Sequence, residues 1–219
     1  GGAVRSIGEY PVAIRAGNAI LSLAHYLPDS AWPKGLAILY PHPGLGLPAG
    51  KAMAAAVFLA AITFLATISF RRVPFLIVGW LWFLISLLPV LGLVQVGAQA
   101  MADRYTYIPS IGLFVTISWV AGEQSRAWAR RLTVWAAAAI LLVFVAVTLI
   151  QVRTWRDSET VFTHALQVTR GNYIAHDQLS SALIQQGRKQ EAMRHTLAAL
   201  RIYPDKEPSR YLRFGSALL

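Results

Sequence analysis

The chain of 219 residues has no cysteine, only 14% charged residues, and ten acids against twenty bases. Without thiols there is no disulfide frame, so an oxidising compartment is permitted but not indicated. A structural zinc site is not expected either, because the five histidines (25, 42, 164, 176 and 195) show no HxH or HxxxH spacing; no metal is assigned. Ser110 and Ser118 have no histidine close in sequence that could activate them. "GLGLPAGK" (44–51) ends in Gly-Lys but lacks the spacing and the Ser/Thr of a phosphate loop. The basic excess is spread as +2, +4 and +4 over residues 1–51, 52–152 and 153–219, which leaves no concentrated patch and no nucleic-acid partner. The sequence opens Gly-Gly without a signal-peptide pattern, and it reads as a piece of a longer protein.

What the chain does have is oil. Hydrophobic residues make up 56% and mean hydropathy is +0.49, with the polar residues gathered into blocks. Four apolar runs, at about 52–70, 73–96, 106–122 and 133–152, predict four membrane-crossing helices and an all-α fold. Pro89 and Gly92 should kink or break the second run near its end, and Tyr105 and Tyr107 should anchor the short third run at the interface. Arg71 and Arg72 join runs one and two, and Arg126, Arg130 and Arg131 join runs three and four. Short arginine-rich links stay cytoplasmic. The loop around Asp103, residues 1–51 and residues 153–219 are then expected outside.

Residues 10–27 place Arg15, Asn18, Ser22 and His25 on one helical face opposite Ala13, Ala16, Ile20, Leu23, Ala24 and Leu27, with Gly17 as a mild weakness. Two placements fit this helix equally: in the interface plane between membrane and water, or packed on the protein's own spans with its polar face solvated. The Pro- and Gly-rich stretch that follows reads as an ordered re-entrant or surface loop anchored by Trp32 and Tyr40.

Residues 173–206 fit the tetratricopeptide repeat, a helical hairpin of about 34 residues. Leu179 takes position seven, Gly187 the turn, Ala192 and Ala199 the close-packing positions, and Pro204 the terminal turn. Ser180 and Thr196 depart from the pattern, which favours glycine and an aromatic at those places. Ala165-Leu166 marks a degenerate preceding repeat, and residues 214–219 resemble the start of another, so the array is expected to continue past Leu219. The groove-facing positions, where an acceptor protein or peptide would bind, are Ile174, Asp177, Ser181, Ile184 and Gln185.

One stretch joins polar chemistry to an apolar run: "GAQAMADRYTYIPSIGLF" (97–114). Pro109 suits a first helical turn, so the third run should begin near Ile108 with its amino end outward, where an anion is favoured. Arg104 could grip a phosphate through its planar guanidinium, oriented by Asp103, with Tyr105 and Tyr107 at the edge. Arg15 and His25 are secondary candidates. The competing reading is a solvated loop pair beside an aromatic belt.

"ADRYTYIPSIG" (102–112) resembles the A-[DE]-R-x-x-Y-x-P-S-x-G signature of the transmembrane and tetratricopeptide-repeat proteins, which are protein O-mannosyltransferase-like members of the C-type glycosyltransferase superfamily. "YLPDSAWPKGLAILYPHP" (26–43) is similar to a loop of their bacterial relatives, as is most of residues 78–105. The resemblance implies an integral protein of a bacterial inner membrane with its repeats on the periplasmic side. It would transfer sugar from a polyprenyl-phosphate donor to protein hydroxyls at the outer face. It places the catalytic acid upstream of Gly1 and carries over only Asp103, Arg104, Tyr107, Pro109 and Ser110. The alternative is a membrane-anchored repeat scaffold for protein–protein interaction, without catalysis.

Overall fold

The computed structural model describes residues 11–32, 35–92, 99–122, 126–204 and 215. Residues 93–96 of the second apolar run, and most of the expected last repeat, lie outside them. Eight α-helices occur among the described residues: α1 Val12–Ala31, α2 Ala49–Ile68, α3 Pro74–Leu87, α4 Tyr107–Gly122, α5 Ala127–Arg153, α6 Ser158–Val168, α7 Tyr173–Gln185 and α8 Lys189–Ile202. The chain divides into two compact units, residues 1–34 with 42–147, and residues 35–41 with 148–219.

The first unit holds α1 to α4 and most of α5. A helix occupies each of the four apolar runs, but only α2 (20 residues) and α5 (27 residues) are long and apolar enough by themselves to cross a membrane. At 14 residues α3 is shorter, because Pro89 lies in a 3-10 turn, Leu88–Val90, that ends the α-helix, and Gly92 follows at φ +74. The third apolar run forms α4, of 16 residues. A helix hydrophobic on all sides gives no direction to its packing, so small residues decide which sides meet. Gly79 of α3 and Gly112 of α4 are both buried at a close crossing: a methyl group on Gly112 would stand 2.6 Å from the Gly79 carbonyl oxygen. Thr116 seals this contact with hydrogen bonds to the carbonyls of Phe75 (3.2 Å) and Gly112 (2.9 Å). No residue of α5 is buried.

Of the two placements expected for the amphipathic helix, packing on the protein's own spans is met by α1 without the solvated polar face expected with it. It packs on α2, and the absent side chain of Gly17 makes room for Leu47, just before that helix. Its polar face, however, is turned inward: Arg15, Asn18 and Ser22 are buried, whereas Ala13 is exposed and Ile20, Leu23 and Leu27 are half-buried. Buried polar groups need partners, and the loop before α4 supplies one to Asn18.

The second unit is the helical hairpin α7–α8 with α6 beside α7. Asp157 caps α6 by accepting from the Thr160 amide at 2.8 Å, and Asn172 caps α7 by accepting from Ala175 at 2.9 Å. Gly187 turns the chain between α7 and α8 at φ +77, a conformation that costs a residue without Cβ little. Ala165, Ala175, Ala192 and Ala199 are fully buried where the helices meet, and Leu179 and Leu183 fill the space around Ala192. A segment distant in sequence completes this unit. Ala37 packs with Ala165 and Ala175, the Leu36 carbonyl meets His164 Nε2 at 3.1 Å, and Asn172 Nδ2 donates to the Leu39 carbonyl at 3.3 Å. Tyr40, expected as a membrane anchor, packs against this cluster while Trp32 is exposed.

Candidate functional site

The candidate site is built from the loop 99–106, the head of α4 and the inward face of α1. Asn18 donates to the Ala100 carbonyl at 3.4 Å. Tyr26 grips the next turn at two points, accepting from the Ala102 amide at 3.2 Å and donating to the Ala102 carbonyl at 3.4 Å. Fully buried, with the carboxylates of Asp103 and Asp29 nearby, the Tyr26 phenol titrates far above its ordinary value and stays protonated, as its donated bond requires.

Beyond Ala102 the chain makes a 3-10 turn, Asp103–Thr106, closed by the Tyr105 amide on the Ala102 carbonyl (3.0 Å) and the Thr106 hydroxyl on the Asp103 carbonyl (2.7 Å). This turn runs directly into α4, which begins at Tyr107 with buried Pro109 in its first turn. The helical course therefore starts at Asp103 rather than near Ile108, and its positive end lies at Asp103 and Arg104 themselves.

Arg104 is exposed. Its guanidinium carbon lies 5.0 Å from the Tyr105 ring centroid and its Nη2 is 3.5 Å from the Tyr105 hydroxyl. That hydroxyl also accepts from Gln99 Nε2 at 2.7 Å, so the aromatic brace is itself held. Asp103 is half-buried and Tyr107 is 78% exposed. Ser110 is buried and points to α1, with its hydroxyl 3.4 Å from that of Ser30. The structure thus brings Arg104 and Tyr105 together at the surface and turns Ser110 away into the packing.

The secondary candidates separate. Arg15 is buried beside His42, whose imidazole is held below its ordinary value first by burial and then by that cation. His42 Nδ1 accepts from the Gly44 amide at 3.0 Å. His25 is exposed, and its charge partly offsets the burial that pushes the Asp29 carboxyl upward. Sequence reasoning missed Asp29. One of its oxygens is buried and has no hydrogen-bond partner among the described residues. The available signal was spacing: Tyr26 continues the face of Asn18 and Ser22 at a helical interval, and Asp29 follows one turn later.

Of the expected groove positions, Ile174 and Ser181 are half-buried and Gln185 is exposed. Asp177 is only 7% exposed, and Ile184 packs against the cluster around Leu183. No group of three or more His, Cys, Asp or Glu side chains that could hold a metal occurs among the described residues.

The chain is 30% identical over 142 residues to protein O-mannosyl-transferase TMTC1 of Homo sapiens, and equally so to its Mus musculus counterpart. The match covers 62% of this chain but only 16% and 15% of those proteins, so the chain spans a small part of the relatives it resembles. No family model matches the chain. No solved structure matches it.

Proposed function

We propose that this chain is part of an integral-membrane glycosyltransferase of the transmembrane and tetratricopeptide-repeat family. It would move a sugar from a polyprenyl-phosphate donor to protein Ser/Thr at the outer membrane face. The observation that carries this reading is Arg104: an exposed guanidinium braced by Tyr105 at the positive end of an apolar helix, in a chain similar to a protein O-mannosyl-transferase. A phosphate leaving with the donor's charge gains stabilisation from a preoriented planar cation there. The α1 face, through Asn18 and Tyr26, fixes the loop that presents it.

In this reading α2, α3, α4 and α5 all cross or enter the membrane. Arg71, Arg72 and the arginines before α5 face the cytoplasm, and the helical repeats face the periplasm of a bacterial inner membrane, where they handle the acceptor. The catalytic acid lies outside this chain. Arg104→Ala in the full-length protein should abolish polyprenyl-dependent transfer, a loss of at least about a hundredfold, while leaving its membrane level unchanged. Arg104→Lys should restore only part, because an ammonium lacks the two-point grip. Unchanged transfer by Arg104→Ala overturns the role.

A second reading is favoured by the ordered helices α6 to α8: a membrane-anchored repeat scaffold that binds partner peptides without catalysis. It expects no transfer from the full-length protein, and peptide capture that is insensitive to Arg104.

A further inference from the structure

We propose that a cleft between α2, α3 and α4 holds one acyl chain of an anionic phospholipid, whose phosphate sits against Arg71 and Arg72. This rests on the membrane part of the reading above and is independent of the sugar-transfer part. The cleft has a volume of about 340 Å³ and is lined by residues that include Ile62, Leu65 and Ala66 of α2, Trp80 of α3, and Leu113 and Ile117 of α4.

Away from Ser69 at one end, its polar wall groups are already engaged. The Trp80 indole donates to the Thr63 hydroxyl at 3.0 Å, and Thr116 is bonded to the Phe75 and Gly112 carbonyls. A polar ligand would find little to bond in the cleft, whereas a hydrocarbon chain loses nothing by entering it.

The same cleft has a charged end. Ser69, which closes α2, and Leu76, in the first turn of α3, both line it, so one end lies at the turn between these helices. That turn is tightened by the Arg72 and Val73 amides on the Ser69 carbonyl, at 2.9 and 2.8 Å, and it carries Arg71 and Arg72, both exposed. An apolar channel ending at two cations matches a chain ending in an anion. Arg104 belongs to the loop leading into α4, whereas the cleft is reached further along that helix, at Leu113 to Ile117. The two anion positions are therefore separate.

Native mass spectrometry of the full chain in detergent, with equimolar phosphatidylglycerol and phosphatidylcholine of matched acyl chains, tests this. The unmodified protein should retain one phosphatidylglycerol with about tenfold preference. Arg71→Gln with Arg72→Gln should equalise the two lipids. Ile117→Trp, at an exposed wall position, should reduce retention of both; Leu65→Trp, also exposed, serves if the first variant loses its helical circular dichroism. Equal retention of the two lipids by the unmodified protein overturns the proposal, and so does retention insensitive to both kinds of variant. Arg104→Ala should leave retention untouched, so this inference and the transfer reading fail separately.

Discussion

The two compact units both bury alanines and large apolar side chains, and they differ in what they leave at the surface. In the first, Ala52, Ala55, Gly79 and Gly112 are buried together with Trp80, Phe83 and Leu87, while Phe58, Phe64, Trp82, Trp119 and Trp135 are exposed. In the second, Leu179 and Leu183 lie inside and the charged network of Arg188 with Glu159 and Glu191 lies outside. Water rewards burial of large apolar side chains. A hydrocarbon solvent does not, so helices there gain from close backbone approach. The exposed aromatics of the first unit and the charged surface of the second follow this difference.

Breaking the close approach should have the largest effect. Gly112→Val places side-chain atoms against the Gly79 carbonyl, where no rotamer change gives relief. A loss of more than about 3 kcal/mol is expected, seen as loss of monodisperse protein in detergent. Leu183→Ala tests the other mode of packing by opening a cavity at a site only 1% exposed, for about 3 kcal/mol in denaturant unfolding of the second unit.

Asn172→Ala is expected to follow at about 2 kcal/mol. It removes the cap of α7 together with bonds to Thr169 and to the Leu39 carbonyl. Hydrogen exchange should show the amides at the start of α7 losing protection first.

Smaller again is the buried Ser180–Thr196 pair, 2.7 Å apart. Each single change, Ser180→Ala or Thr196→Val, should cost about 1 kcal/mol, and the double change less than their sum.

The smallest effect is titration. His176 and His195 share a hydrogen bond of 2.9 Å between their Nδ1 atoms, which requires one nitrogen to carry the proton and the other to accept it. Burial lowers both from the ordinary imidazole value; His195 opposes His176 further, Asp177 raises His176, and Glu191 raises His195. Groups depressed in the folded state add stability above about pH 6.5 that is lost as pH falls through the lowered values. The melting temperature of the second unit should therefore fall by a few degrees on acidification, and His176→Phe should flatten the profile.

These particulars show what was legible beforehand. Period and length located all four apolar helices, and the register of alanines at 165, 192 and 199 anticipated their full burial. Ser180 and Thr196 read as two separate departures from a repeat, and only the fold reveals that they satisfy one another. The face of α1 was correctly identified as polar, but amphipathicity specifies that two faces differ, not which of them turns inward. Asp29 went unread although its helical spacing from Tyr26 placed it on the same face, because spacing does not say that the face is buried.

Composition and periodicity by themselves determined the helical class, the places of the apolar helices and the glycine turn between α7 and α8. These follow from local backbone preferences and from the spacing of apolar side chains along the chain. Tertiary structure alone decided that Tyr26 grips Ala102 across 76 residues, and that Asn172 reaches Leu39 across 133. Such contacts depend on where distant backbone carbonyls come to rest. Every residue carries the same carbonyl, so the sequence gives no sign of which one a buried side chain will find.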